Sequence, residues 1–250
     1  MPTAIDAIVL CGGAGLRLRS VTGDAPKSLA SIGGRPFLEI LFHQLRRYGF
    51  RRAILAVGFQ GDVVRSYFGS RVEGLALDYS IETEPLGTGG ALRKATDYLE
   101  TDRVLILNGD SYTDADLPAF VDDACRANAD ISILLVPVDG RVDCGLVSVD
   151  TNHRVLGFKE KQAALGKQYV NAGVYVATKR LLYGIQQGVQ LSLETDLFPR
   201  WMAEGKHLRG FNHSGKCIDI GTPERFRDAQ ETLANAELGG ALSGTEGRSA

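Results

Sequence analysis

The chain has 250 residues, 44% of them hydrophobic and 23% charged, a composition typical of one globular domain and unlike that of an intrinsically disordered protein. Its 28 basic and 30 acidic residues give a net charge of −2, which argues against a nucleic-acid-binding surface. The sequence has no apolar run long enough for a membrane span, no signal-peptide pattern, and four cysteines too widely spaced to indicate zinc or a disulfide framework. We therefore predict a cytoplasmic protein that binds neither nucleic acid nor membrane and is compatible with a homo-oligomer.

The first half alternates short apolar runs with amphipathic segments, which predicts a parallel sheet covered by helices. Strands are predicted at residues 7–10, 53–57, 75–81, 104–108 and 131–136. Helices are predicted at residues 36–48, 62–69 and 90–99. The first helix has Pro36 at its start and Gly49 just beyond its end, as helix termini prefer.

Beyond residue 137 the pattern favours strands, at residues 145–150, 154–160 and 169–177, which either extend the sheet or form a lobe over its edge. A helix over residues 192–205 is predicted to be capped by Ser192 and shortened or kinked by Pro199. A strand, a glycine turn and a helix capped by Thr222 are predicted over residues 216–236.

A glycine-rich loop follows the first predicted strand. Its glycines allow backbone N–H groups to approach phosphate oxygens, and Arg17 and Lys27 add positive charges that suit a triphosphate. Leu18 stands where the dinucleotide-binding fingerprint needs its third glycine, which argues against a dehydrogenase, and the Gly-Lys-Ser/Thr ending of a P-loop is absent. The loop itself leaves two interpretations open, a phosphate site of another kind and a flexible turn with incidental basic residues.

The stretch GGAGLRLRSVTGDAPKSLASIGGRP resembles the signature of the sugar-1-phosphate nucleotidylyltransferases, G-G-x-G-x-R-L, T-x-x-x-P-K-x-L and G-x-P. The residues in register are Gly12, Gly13, Gly15, Arg17, Leu18, Thr22, Pro26, Lys27, Leu29, Gly34 and Pro36. With the later motifs, the resemblance extends from residue 5 to about residue 230. It implies an enzyme that joins a nucleoside triphosphate to a sugar 1-phosphate and releases pyrophosphate.

Such chemistry needs no Ser-His-Asp triad, because the nucleophile is a phosphate monoester that is already largely dianionic near neutral pH. The protein must instead supply positive charge and in-line positioning. The resemblance implies that Arg17 and Lys27 stabilise the departing pyrophosphate, that Asp110 and Asp219 bind Mg²⁺, and that Lys161 places the sugar phosphate. Asp110 follows the strand VLILN, and Asp219 lies in CIDIGTP, which resembles the family's D-x-G-T-P segment.

The segment ETEPLGTGGALRKA resembles the family's P-L-G-T-x-G turn, which contacts the base and ribose. Glu82 stands where thymidylyl and uridylyl relatives usually carry a glutamine. A carboxylate can accept from both N1–H and the amine of guanine, so this residue favours GTP. The expected nucleotide-binding residues are Leu10, Gly12, Gly13, Gly15, Arg17, Lys27, Glu82, Pro85, Gly87, Thr88, Asn108 and Asp110.

Four later segments resemble the family's sugar-phosphate motifs. GFKEKQ resembles an E-K-P motif with Gln162 in place of proline, YVNAGVYV an N-A-G strand, SLETDLFP an S-L-E-x-x-x-F-P motif, and CGLVSVD a Y-G-x-V motif with Cys144 in place of the aromatic residue. The expected sugar-phosphate-binding residues are Gly145, Glu160, Lys161, Asn171, Gly173 and Glu194.

The resemblance implies a Rossmann-like three-layer α/β/α sandwich with a mixed, mostly parallel sheet and a small β-rich sugar-binding lobe. We predict a nucleotidylyltransferase domain over residues 1–236, with a nucleotide-binding part to about residue 137 and a sugar-binding part beyond it, and a flexible tail over residues 237–250.

Within the family the chain looks most like the heptose 1-phosphate guanylyltransferases, which supply bacterial surface polysaccharides. Mannose 1-phosphate and another base are the alternatives. A non-catalytic relative that senses nucleotide sugars should have lost Arg17, Lys27 or an aspartate, and all are intact. An enzyme for phosphocholine should replace Asn171 and Glu194 by an aromatic site, which the sequence does not indicate.

Overall fold

The computed structural model describes residues 5–13, 15–23, 25–137, 146–159 and 169–241. The helices in these ranges are α1 (Arg19–Thr22), α2 (Phe37–Arg47), α3 (Gly61–Phe68), α4 (Gly87–Ala95), α5 (Leu117–Arg126), α6 (Lys179–Tyr183), α7 (Phe198–Ala203) and α8 (Pro223–Ala241). The strands are β1 (Asp6–Leu10), β2 (Ser31–Ile32), β3 (Arg35–Pro36), β4 (Arg52–Val57), β5 (Arg71–Val72), β6 (Leu75–Ile81), β7 (Arg103–Asn108), β8 (Ser111–Thr113), β9 (Ile131–Pro137), β10 (Leu146–Val149), β11 (Val155–Lys159), β12 (Tyr169–Thr178), β13 (Leu208–Asn212) and β14 (Cys217–Asp219).

Ten of the described strands form one mixed sheet. Eight of them run in the order β11-β10-β12-β7-β1-β4-β6-β5, while β9 pairs with β12 and β13 pairs with β9. Strands β7, β1, β4 and β6 are parallel neighbours, and β12 pairs antiparallel with both β7 and β9. The five strands predicted in the first half are confirmed, and β10, β11 and β12 show that the later strands extend the sheet.

Hydrophobic side chains cover both faces of the sheet. Along β1, Val9 packs into one core and Ile8 into the other, because successive side chains of a strand point to opposite faces. Helices α2, α3, α5 and α8 cover the Val9 face, and α4, α6 and α7 cover the Ile8 face. Burying each such side chain contributes about 1.5–3 kcal/mol, so two cores hold the predicted three-layer sandwich together.

The strand order creates a crevice at the carboxyl ends of the central strands. From β1 the chain proceeds to β4 and β6 through α2 and α3 on the Val9 face, then returns to β7 on the other side of β1 through α4 on the Ile8 face. The connection after β1 leads to one side of the sheet, toward β4, and the connection after β7 leads to the other side, toward β9 and β12. In open α/β sheets, ligands bind at this kind of switch point.

Several elements match their predicted ends. The Ser192 hydroxyl accepts from the backbone N–H groups of Glu194 and Thr195, and the helix splits there into a five-residue π turn followed by α7, which has Pro199 in its first turn. Thr222 Oγ1 accepts from the Arg225 N–H at the start of α8. This helix continues to Ala241 and so includes residues 237–241, where strong helix formers precede the glycines.

Helix α5 and strands β8 and β13 are not among the predicted elements. The Asp116 side chain caps α5 by accepting from the Ala119 N–H at 3.0 Å. No helix within the described ranges is both long enough and apolar enough to span a bilayer.

Candidate active site

A cleft runs along the carboxyl ends of β1, β4, β6 and β7, and it has two compartments that share Leu10, Gly13 and Asp110. The Lys27 compartment, about 460 Å³, also includes Gly15, Arg17, Lys27 and Gly221. The Glu82 compartment, about 620 Å³, also includes Gly12, Gly58, Phe59, Glu82, Glu84, Pro85, Gly87, Thr88, Asn108 and Gln190. Each of the expected nucleotide-binding residues therefore lines one compartment or both.

Lys27 and Asp110 form the centre of the Lys27 compartment. The ammonium of Lys27 donates to Oδ2 of Asp110 at 2.5 Å, and the Ser111 hydroxyl donates to Oδ1 at 3.1 Å. The loop passes close to the lysine stem, because a Cβ on Gly15 would lie 2.9 Å from Cβ of Lys27, and Gly15 has a φ of +60°. The glycine at this position thus serves a close approach as well as a left-handed backbone.

A short antiparallel ribbon brings Asp219 to the same place. In the β8–β14 pair Asp219 lies opposite Ser111, and the Ile220 N–H donates to the Asp110 carbonyl at 3.0 Å. A Cβ on Gly221 would lie 2.9 Å from Asp219 Oδ1 and 3.9 Å from Lys27 Nζ. The opening loop and Asp110 therefore line one compartment, and Asp219 lies directly beside it, two residues before the lining residue Gly221.

Arg225, which the sequence analysis did not identify, pairs with Asp219. Its Nη1 donates to Oδ1 at 3.1 Å and to Oδ2 at 3.2 Å, while the Gly221 N–H donates to Oδ1 at 3.0 Å. Arg225 lies in the first turn of α8, directly after the motif that contains Asp219. Each of the two aspartates is thus paired with a basic side chain.

The donor set is compatible with Mg²⁺. Asp110 and Asp219 offer carboxylate oxygens, and Mg²⁺ usually takes one or two carboxylates together with phosphate oxygens and water. The described ranges contain no cluster of three or more His, Cys, Asp or Glu side chains able to hold a metal. Lys27 and Arg225 already pair with these two carboxylates, so a metal ion would have to displace them or bind beside them.

Glu82 follows β6 and lies beside the loop after β1. Its Oε2 accepts from the Leu86 N–H at 3.0 Å, and a Cβ on Gly12 would lie 3.2 Å from its Oε1. Burial raises the pKa of Glu82 above the ordinary glutamate value, while the Leu86 hydrogen bond and the charge of Lys94 act in the opposite direction. The protonation of Glu82 therefore depends on the balance between its burial, which favours the neutral form, and its contacts with Leu86 and Lys94, which favour the ionised form.

The turn after Glu82 packs tightly on a neighbouring segment. The Gly89 N–H donates to the Leu191 carbonyl at 2.7 Å, and a Cβ on Gly87, whose φ is +67°, would lie 2.5 Å from that oxygen. Larger side chains at these positions would push the turn away from residue 191. The glycines of the Gly-Thr-Gly-Gly run thus fix the wall of the Glu82 compartment.

The expected sugar-binding residues Asn171 and Glu194 are joined by a third residue, Tyr175, that the sequence analysis did not identify. Asn171 Nδ2 donates to the Tyr175 hydroxyl at 2.8 Å, and this hydroxyl donates to Glu194 Oε1 at 3.3 Å. Tyr175 is fully buried, and burial together with the charge of Glu194 raises its pKa well above the ordinary value. Its hydroxyl therefore stays protonated as a donor to Glu194.

This network reaches the Gly-Thr-Gly-Gly turn and the cleft. Thr88 Oγ1 donates to Glu194 Oε2 at 3.3 Å and accepts from the Leu193 N–H at 2.8 Å. Gly173, with a φ of +73°, packs against Asn108, since a Cβ there would lie 2.5 Å from Asn108 Nδ2. The pairing of β12 with β9 shifts register between residues 171 and 175, the stretch that contains Gly173.

Three expected sugar-phosphate-binding residues, Gly145, Glu160 and Lys161, lie outside the described residues. Their roles stay predictions.

A family model described as nucleotidyl transferase matches residues 6–236. The chain is 36% identical over 229 residues to a D-glycero-α-D-manno-heptose 1-phosphate guanylyltransferase of Aneurinibacillus thermoaerophilus, covering 92% of this chain and 98% of the relative. It is 34% identical over 246 residues to a mannose-1-phosphate guanylyltransferase of Mycobacterium tuberculosis, covering 97% of this chain and 68% of the relative.

Among solved structures, the chain is similar to HddC from Yersinia pseudotuberculosis in complex with GMP-PN. The TM-score is 0.80 at 32% identity, with 92% of this chain and 99% of that chain covered. The chain therefore shares its central sheet and flanking helices with HddC.

Proposed function

Because the chain belongs to the nucleotidyl transferase family, we propose that it joins GTP to a sugar 1-phosphate, giving a GDP-sugar and pyrophosphate. The observation that carries this proposal is that Lys27 and Asp110 line one compartment, with Asp219 beside it opposite Ser111, and that a second compartment lined by Glu82 adjoins it. The likeness to guanylyltransferases over nearly the whole chain supports guanine as the base.

The chemical step is an in-line displacement. An oxygen of the sugar phosphate attacks the α-phosphorus of GTP, the bond from that phosphorus to the bridging oxygen breaks, and pyrophosphate leaves with the electron pair. Both reactants are anions, so the barrier falls when fixed positive charge surrounds them. Arg17 and Lys27, which line the Lys27 compartment, would neutralise the leaving pyrophosphate.

Asp110 and Asp219 would hold Mg²⁺, which when bound neutralises phosphate charge and orients the reacting groups. Lys27 and Arg225 occupy these carboxylates in the described structure. Lys27 is on a flexible stem, so it can exchange its contact with Asp110 for one with a phosphate oxygen.

The Glu82 carboxylate would recognise guanine. Guanine offers two donors, N1–H and the exocyclic amine, on one edge, and a carboxylate oxygen has lone pairs for more than one donor. The Leu86 N–H fixes the orientation of the carboxylate and leaves Oε1 at the Gly12 side of the compartment.

For the sugar 1-phosphate we propose D-glycero-α-D-manno-heptose 1-phosphate, supported by the likeness to the heptose enzyme of A. thermoaerophilus. Asn171, Gly173 and Glu194 would contact the sugar, and Lys161, Glu160 and Gly145 its phosphate side. The product would be a GDP-heptose for bacterial surface polysaccharide, made in the cytoplasm. Mannose 1-phosphate is the second candidate, since the M. tuberculosis relative covers 97% of this chain.

The test is a matrix of pyrophosphate release that pairs each common nucleoside triphosphate with heptose, mannose and glucose 1-phosphates. The GTP and heptose 1-phosphate combination should give the highest kcat/KM. A higher value for another base would refute the assigned role of Glu82, and a higher value for mannose 1-phosphate would select the second candidate. Absence of release in every combination would refute the proposed reaction.

A further inference from the structure

Lys94 lies on α4, behind the compartment that would hold the base. Its ammonium donates to the carbonyl of Ile81 at 2.6 Å, and Ile81 is the residue before Glu82. The side chain is half-buried and points back toward the end of β6. No step of the proposed reaction uses this lysine.

Among the described residues, the Lys94 ammonium from α4 acts on Glu82 through its charge, and the Glu84 carboxylate lines the same compartment as Glu82. The Leu86 N–H of its own loop and the backbone of Gly12 after β1 are neutral neighbours of Glu82. Lys94 therefore supplies the positive charge that favours an ionised Glu82.

The protonation state of Glu82 decides which base edge it matches. An ionised carboxylate only accepts hydrogen bonds, which suits the two donors of guanine. A protonated carboxyl donates from one oxygen and accepts at the other, which suits uracil, whose edge offers one N–H beside a carbonyl. An ionised Glu82 thus favours the two adjacent donors of guanine, and protonation removes this advantage of guanine over uracil.

We propose that Lys94 is a positioning residue that sets base specificity, by holding Glu82 in the form that selects GTP over a pyrimidine triphosphate. The inference rests on the proposed function, in which Glu82 recognises guanine. Without the lysine charge, one influence that lowers the pKa of Glu82 is lost while burial still raises it. The carboxyl then protonates at a higher pH, and the preference for GTP is lost at a higher pH.

The variants separate charge from hydrogen bonding. Lys94→Gln keeps a donor for the Ile81 carbonyl but removes the charge, whereas Lys94→Arg keeps both. The matched control is Arg93→Gln, which removes a charge from the neighbouring position of the same helix, where Arg93 pairs with Asp97 at 2.8 Å. Thermal unfolding tests whether each variant folds. If Lys94→Gln does not fold, Lys94→Met serves as the second neutral variant.

The measured quantity is the ratio of kcat/KM for GTP to that for UTP, from about pH 5.5 to about pH 8.5. The titrations of the triphosphate and of the sugar phosphate affect both substrates alike and cancel in the ratio. If UTP turnover is too slow to measure, its inhibition constant against GTP takes its place.

For the wild-type protein the ratio should fall wherever the Glu82 carboxyl becomes protonated. In Lys94→Gln the fall should begin at higher pH, lowering the ratio about tenfold per pH unit of displacement at the acidic end. Lys94→Arg and Arg93→Gln should follow the wild-type profile. A ¹³C-NMR titration of the Glu82 carboxyl should show the same displacement without turnover.

The inference and the proposed function fail differently. If Glu82→Gln loses the GTP preference but Lys94→Gln keeps the wild-type profile and carboxyl titration, the role of Lys94 is refuted and guanine recognition stands. Equal losses in Lys94→Gln and Lys94→Arg would show a purely structural role, which also refutes the inference. If the wild-type protein does not prefer GTP, or Glu82→Gln retains the preference, the role of Glu82 in the proposed function is refuted.

Discussion

Arg225 donates from Nη1 to both carboxylate oxygens of Asp219, at 3.1 and 3.2 Å. Asp110 is paired with Lys27, whose ammonium donates to Oδ2. The two carboxylates proposed to hold Mg²⁺ are therefore neutralised by basic side chains before any metal binds, and a metal ion must compete with these pairs or bind alongside them.

We expect Arg225→Met to increase the affinity of the nucleotide-free protein for Mn²⁺, used as a spectroscopic substitute for Mg²⁺. A unit charge about 4 Å away is worth about 1 kcal/mol even in water, which corresponds to about fivefold tighter binding. Turnover should fall, because Asp219 loses the group that orients it. Electron paramagnetic resonance measures free Mn²⁺ directly, and Arg200→Met, which breaks an exposed pair with Glu204 at 2.8 Å, is the control. Unchanged or weaker Mn²⁺ binding in Arg225→Met would contradict this prediction.

Lys27→Met should lower kcat/KM for pyrophosphate release by about 10²–10³, the usual cost of removing one fixed donor that stabilises transition-state charge. Lys27→Arg keeps the charge but changes its shape, so it should recover part of this loss. Steady-state kinetics with saturating sugar 1-phosphate give kcat/KM for GTP in each of the two variants. Lys206→Met, outside the cleft, should behave like the wild-type protein, and wild-type kinetics in Lys27→Met would exclude the proposed role.

Tyr175→Phe should raise the KM for the sugar 1-phosphate more than the KM for GTP. The hydroxyl joins Asn171 to Glu194, and a hydrogen bond to a charged group contributes about 1.5–3 kcal/mol to stability, so its loss should leave Glu194 less firmly oriented toward the sugar. Initial rates with each substrate varied in turn separate the two KM values. Tyr183→Phe, an exposed tyrosine outside the cleft, is the control. An equal rise in both KM values would indicate a general loss of structure instead.

Much of the fold is predictable from the sequence because the parallel strands are long apolar runs. The five strands of the first half and the caps at Ser192 and Thr222 follow from local pattern alone. Strands β8 and β13 do not, since they are short and are defined by their partners β14 and β9. Helix α5 had readable signals in its Asp116 cap and its proline, but its apolar face is short.

The residues of the candidate site also fall into those that the sequence identifies and those that only the fold reveals. Lys27, Asp110 and Asp219 stand in recognisable motifs, so their sequence context identifies them. Tyr175 and Arg225 gain their significance from contacts with carboxylates, and nothing in their local context indicates those contacts. The link between Thr88 and Glu194 joins residues 106 positions apart, a separation that only the folded chain closes.

Gly173 and Gly188 provide a matched pair for testing how closely β12 must approach Asn108. Both have a φ of +73°, so an alanine pays a similar backbone cost of about 1–3 kcal/mol at either position. At Gly188 a Cβ meets nothing within 4 Å, whereas at Gly173 it would lie 2.5 Å from Asn108 Nδ2. We therefore expect Gly173→Ala to lower the free energy of unfolding more than Gly188→Ala, in urea titrations.

Of the two variants, only Gly173→Ala should also change the affinity for GTP. The clash displaces Asn108, which lines the Glu82 compartment at the carboxyl end of β7, so GTP binding should weaken in this variant and not in Gly188→Ala. Calorimetric titration with GTP compares the two proteins after both are shown to be folded. Equal stability and equal GTP affinity in the pair would mean that Asn108 can move away at no cost, and that its contact with Gly173 does not shape the cleft.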